Sequence, residues 1–116
     1  MNFQQAVQTC FRKYVDFSGR ASRPEYWWFI LAYIILAFVT GFIHEYIYFI
    51  VVLVFLLPLL AAGARRLHDI GKSGWWLLLG LIPVIGGLVL LYFTVQPSQP
   101  ESNEYGPPPA PVPAGA

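Results

Sequence analysis

The sequence predicts an all-α membrane protein: an N-terminal amphipathic interfacial helix, three transmembrane helices and a disordered proline-rich tail. Three observations lead there. Hydrophobic residues make up 57% of the 116 and charged residues only 11%. A soluble domain carries about 25% charged residues, and a core of this size could not hide the surplus apolar surface. Long apolar runs lie on both sides of Ala64–Trp76, which reads Ala-Arg-Arg-Leu-His-Asp-Ile-Gly-Lys-Ser-Gly-Trp-Trp. An arginine at the centre of a membrane helix costs roughly 2.5–3.5 kcal/mol on insertion scales, so this stretch reads as a polar joint between spans.

The elements follow in order. Residues 1–95 form one membrane domain and 96–116 a tail. Over 2–17, apolar residues at Phe3, Ala6, Val7, Cys10, Phe11, Tyr14 and Val15 fall at helical spacing, with Arg12 and Lys13 on the polar side. That pattern suits a helix lying in the headgroup layer. Asn2 and Gln5 fit its start, and Ser18-Gly19 its end. No signal-peptide pattern precedes the first span, so that span is expected to direct insertion. Cys10 is the only cysteine, which excludes an intrachain disulfide. Ser22 and Glu25 have capping-box spacing around Pro24 and open a span over about 26–43. His44 and Glu45 break the apolar pattern and predict a tight hairpin into a second span over about 46–63. Pro58 should kink that span, which is tolerated where a neighbour satisfies the freed carbonyl. The helix is expected to continue through Asp69 and stop at Gly71, with Ser73 capping a third span over about 75–95. Gly80, Pro83, Gly86 and Gly87 make this span irregular. Seven of the ten prolines lie in 96–116, where a polyproline-like tail without a core is expected.

Charge predicts orientation. Arg12, Lys13, Arg20 and Arg23 precede the first span, and Arg65, Arg66 and Lys72 lie between the second and third. With three spans, every basic residue falls on one side, which the positive-inside rule makes cytoplasmic. The N-terminus is then cytoplasmic and the tail extracytoplasmic. Trp27, Trp28, Trp75 and Trp76 all fall at the cytoplasmic boundary, as an aromatic belt requires.

The candidate functional residues are Arg20, Arg23, Glu25, Arg65, Arg66, His68, Asp69 and Lys72. Folding the spans together brings them near one another. Arg65 and Asp69 stand four apart on a helix and can pair, and Glu25 can pair with Arg65 or Arg66 across the bundle. Arginines at a leaflet attract anionic phosphates at about 1 kcal/mol each. No catalytic set, cofactor site or metal site is apparent. His68 and Asp69 are adjacent and diverge by about 100° on a helix. His44 is alone at its turn. Gly71-Lys72-Ser73-Gly74 lacks the first glycine and the preceding strand of a phosphate loop.

Four segments carry a resemblance: Phe17–Phe29, Arg65–Trp76, Ile82–Gly86 and Asn103–Pro107. In that order they resemble the pattern of a bacterial inner-membrane family catalogued as domain of unknown function 805. The likeness spans nearly the whole chain, and Arg65–Trp76 is its most specific part. It implies a small multipass inner-membrane protein with no established activity. From residues and resemblance together, the expectation is a structural or accessory protein rather than an enzyme. Its cytoplasmic Arg/Trp patch would contact anionic lipid headgroups or a membrane-protein partner, with no nucleic acid involved. An oligomeric small-solute transporter or channel component is the alternative.

Overall fold

The structure, a computed structural model, describes residues 2–109. Its elements are α1 (Phe3–Arg12), α2 (Arg23–Ile43), α3 (Glu45–Asp69), a 3-10 helix (Gly74–Leu81) and α4 (Ile85–Thr94). Among the described residues there is no strand, only one isolated bridge between Asn103 and Gly106.

The start of α1 is the predicted one. Asn2 Oδ1 accepts from Gln5 N at 2.8 Å, and Gln5 Oε1 accepts from Asn2 N at 3.0 Å. The helix stops at Arg12 instead of reaching residue 17. Beyond it, Asp16 Oδ1 accepts from the backbone and hydroxyl of Ser18, and these two bonds hold the Asp16 carboxyl below its ordinary range. The oily side of α1 lies on the protein's own helices. Cys10 is buried in a cluster with Phe29, Val51, Phe55 and Ala62. Phe11 meets Phe29 and Phe55 edge-on at 5.4 and 5.3 Å.

The predicted hairpin forms with His44 as its turn. His44 N donates to Thr40 O, closing α2, while its Nδ1 accepts from Tyr46 N, opening α3. With 21 and 25 residues, α2 and α3 are long enough to cross a membrane, at mean hydropathy 2.0 and 2.7. At 1.5 Å per residue they measure about 32 and 38 Å against a ~30 Å hydrocarbon core. Their outer faces stay unburied: Phe38, Phe42, Ile50 and Leu53 are all exposed, Phe42 by 78%. Pro58 lies inside α3 and is buried. A proline there leaves the carbonyl four residues earlier without its N–H. That carbonyl is Val54 O, and the Tyr14 hydroxyl donates to it at 2.7 Å.

The third span is where the structure departs from expectation. Residues 75–95 do not form one helix. The 3-10 helix ends at Leu81, and the chain reverses through Ile82-Pro83-Val84 into α4. Val84 takes φ 63 and ψ −63, and Ile85 N donates to Pro83 O at 2.7 Å. This is the rare positive-φ γ-turn, strained for a β-branched residue. Gly86 permits the close return, since a Cβ there would stand 1.5 Å from Leu79 O. Both limbs come back to one end: Trp76 and Phe93 meet at 5.7 Å. At about 16 Å and 15 Å, neither limb spans a bilayer. The segment is a hairpin of two short helical limbs and not the single helix expected over 75–95.

The tail also differs from expectation. Residues 96–109 are packed against the α3 terminus, with Gln99 N donating to Asp69 O at 3.0 Å. The tail therefore lies at the same end of the hairpin as Arg20 and Asp69, not at the opposite end as an odd number of crossings required. The remainder of the expected disordered tail, 110–116, lies outside the described residues.

Candidate functional site

The site is built where four segments meet: the loop before α2, the end of α3, the end of α4 and the tail. Gly71 terminates α3 by taking φ 80. Lys72 N then donates to Leu67 O and Gly71 N to His68 O, the paired bonds of a Schellman stop. Ser73 next caps the 3-10 helix by accepting from Trp75 N at 3.2 Å. The last turn of α3 is thereby held rigid with Arg65, Arg66, His68 and Asp69 pointing to different neighbours.

Asp69 is the centre of the ionic cluster. Its side chain is fully buried, with Arg20 Nε on Oδ1 at 2.9 Å and Arg66 Nη1 on Oδ2 at 2.6 Å. The Ser98 hydroxyl also donates to Oδ2. Arg20 then spreads its remaining N–H groups over the tail, to Gln99 O at 2.6 Å, Glu101 O at 2.9 Å and Gly106 O at 3.3 Å. Arg66 reaches Thr94 O at 3.0 Å, Ala21 O at 3.3 Å and Gln96 O. Arg65 pairs with Glu25 across the two long helices, and both are buried. Arg65 Nε and Nη2 are buried with no partner among the described residues. Three guanidinium groups thus share two carboxylates inside the protein, and main-chain carbonyls fill most of the donors left over.

His68 faces the other way. Its Nδ1 lies 2.9 Å from Gly19 O, and a carbonyl only accepts, so Nδ1 carries the proton. Tyr105 stacks on the imidazole at 3.9 Å with the planes 2° apart. Asn103 positions that ring: its Nδ2 donates to His68 O at 2.9 Å, and its main chain pairs with Gly106. Beside His68 opens a cavity of about 540 Å³.

Six of the eight sequence-predicted residues come together inside the protein: Arg20, Glu25, Arg65, Arg66, His68 and Asp69. Arg23 and Lys72 lie at the rim. Arg23 donates to Val95 O at 3.3 Å, and the Lys72 ammonium sits 5.2 Å from the Phe93 ring centre and 5.9 Å from that of Trp76. Two details are corrected. Asp69 pairs with Arg66, three residues before it, and not with Arg65. Arg20, Arg65 and Arg66 have too little exposed surface to meet a lipid headgroup. Glu25, Asp69 and His68 do not share one cleft, since each is turned to its own partners. Among the described residues no three His, Cys, Asp or Glu side chains gather as metal ligands.

Sequence reasoning missed Tyr14, Ser98, Gln99 and the stacked Tyr105. A signal for the last existed, because Asn103–Pro107 is one of the four segments that carry the family resemblance. Nothing in a tail this rich in proline marked Ser98 or Gln99.

A family model described as a protein of unknown function, DUF805, matches residues 14–107. The inner membrane protein YhaH of Escherichia coli K12 is 43% identical over 112 residues, covering 84% of this chain and 90% of the relative. The inner membrane protein YhaI of the same strain is 42% identical over 102 residues, covering 82% and 86%. No solved structure matches the chain.

Proposed function

The chain belongs to the DUF805 family, and from that premise we propose that it is a structural or accessory protein of the bacterial inner membrane. In this reading α2 and α3 cross the bilayer, the 74–94 hairpin dips into one leaflet, and both ends of the described chain lie in the cytoplasm. The observation that carries it is the gathering of Arg20, Arg23, Arg65, Arg66 and Lys72 at one end of a hairpin whose flanks are exposed hydrocarbon. The positive-inside rule places that end in the cytoplasm. The names of the two Escherichia coli relatives support the membrane assignment.

The buried arginines act as an internal clasp. Contact with anionic headgroups, or with an acidic surface of a partner, falls to the rim: Arg23 and Lys72, flanked by the exposed Trp28, Trp75 and Trp76. A basic side chain near an anionic leaflet contributes about 1 kcal/mol, or about fivefold in affinity. The test is retention of phosphatidylglycerol over phosphatidylcholine by the chain in mixed-lipid nanodiscs, followed by native mass spectrometry. Arg23→Ala with Lys72→Ala should lower the preference by at least fivefold. An unchanged preference removes the rim as the lipid contact.

A further inference from the structure

We infer that the cavity beside His68 binds a single-chain lipid with a neutral hydroxyl headgroup, of the monoacylglycerol or long-chain alcohol class. The inference is independent of the rim described above, which would meet anionic lipid.

The shape comes first. At about 540 Å³ the cavity lies within the roughly 300–1,000 Å³ of small-molecule sites. One wall is a stripe of α3, Leu60, Ala64 and His68, set four residues apart. The opposite wall is the 3-10 helix, where Trp75 and Leu78 both line the cavity and are 78% and 56% exposed. The open side is therefore apolar, in the position where a chain from the bilayer could enter. Polarity is confined to the His68 end, with Ser73 and Tyr105 beside it.

The chemistry of that end follows from the imidazole. With Nδ1–H committed to Gly19 O, the neutral imidazole presents a lone pair at Nε2, which takes a donor. His68 is only 8% exposed, and its Nε2 has no hydrogen-bond partner among the described residues. Gly74 lets the 3-10 helix approach α3 beside the imidazole, since a Cβ there would stand 3.0 Å from Ala64 Cβ and 3.6 Å from Nε2. A ligand hydroxyl placed in the cavity would donate to Nε2. Among the described residues the cavity lining holds no lysine or arginine, and burial followed by the Glu104 carboxylate pushes the Tyr105 hydroxyl up from its ordinary value. A carboxylate or phosphate headgroup would meet an acceptor and a negative side chain, whereas a hydroxyl meets its complement.

The test uses the full chain in phosphatidylcholine nanodiscs, spiked with 1-oleoylglycerol, oleate or dioleoyl phosphatidylglycerol and read by native mass spectrometry. The expected result is saturable one-to-one retention of 1-oleoylglycerol, at least tenfold above the two anionic lipids. His68→Asn keeps a donor for Gly19 O and removes the acceptor from the Nε2 position, and should weaken retention at least tenfold. Leu78→Trp fills the cavity from an exposed position and should abolish it, which decides the matter if His68→Asn fails to fold. Equal retention by the wild-type chain and the folded variants would overturn the site. Preferential retention of oleate or phosphatidylglycerol would overturn the hydroxyl assignment.

Discussion

Arg65 has one ionic partner, Glu25, and both are buried. Removing either leaves a buried charge unmatched, which costs about 3–5 kcal/mol, whereas replacing both by neutral groups of similar size is often nearly neutral. Glu25→Gln and Arg65→Met should each destabilise by that amount, and the double variant by clearly less than their sum. Unfolding in mixed micelles measures the cycle, and simple additivity would refute the pair. Cys10 gives a pH handle on the same region. Burial, followed by the nearby Glu25 carboxylate, pushes its thiol up from its ordinary 9.0 to about 11. The folded state then holds the proton more tightly than the unfolded chain. That contribution to stability is complete below pH 9 and is lost as pH rises through about 11. At pH 8 iodoacetamide should modify Cys10 at least tenfold more slowly in nanodiscs than in SDS, and equal rates would place the thiol in solvent. At this scale the chain could be read in part. Glu25 with Arg65 was among the expected pairs. Asp69 could meet a basic residue three or four positions back on its helix, and spacing alone does not choose. Arg20, arriving from the loop, fills Oδ1 and leaves Oδ2 to Arg66.

Among the elements, α3 shows how a proline is kept inside a long apolar helix. Pro58 frees Val54 O, and Tyr14 from the segment after α1 satisfies it. Tyr14→Phe should cost about 1–3 kcal/mol through the unmatched carbonyl. In a Pro58→Ala background the same change should cost far less, because residue 58 then donates to Val54 O itself. Equal losses in both backgrounds would show that the hydroxyl acts elsewhere. The need for such a partner was legible from Pro58, but its identity was not, since Tyr14 is 40 residues away. The segment 74–94 shows the opposite limit. Its average hydropathy suits a crossing, while Pro83, Gly80, Gly86 and Gly87 weaken the helix. Whether such a run crosses or turns back depends on whether its two limbs find each other. Gly86 against Leu79 O is the contact that lets them.

Across the whole molecule the proposed topology, with the 74–94 hairpin dipping into one leaflet, has an even number of crossings. Ser18 and Ser102 are then exposed at one end, and Glu45 at the other. In a Cys10→Ala background, Ser18→Cys and Ser102→Cys should both react with an impermeant maleimide from the cytoplasmic face, and Glu45→Cys from the opposite face. Labelling of positions 102 and 45 from the same side would restore a third crossing. The tail supports the first outcome physically, because its carbonyls accept from the guanidinium of the buried Arg20.

The sequence by itself determined the solvent, the helical class, the α2–α3 hairpin and six of the eight polar residues singled out as candidates for one cluster. Those follow from composition, apolar run length and caps, which are local quantities. Only the tertiary structure decided that the last apolar run turns back, that the tail closes over Asp69, and that the arginines face inward. Each of those outcomes rests on groups far apart in the chain satisfying one another's hydrogen bonds, and such complementarity leaves no periodic trace in the residues.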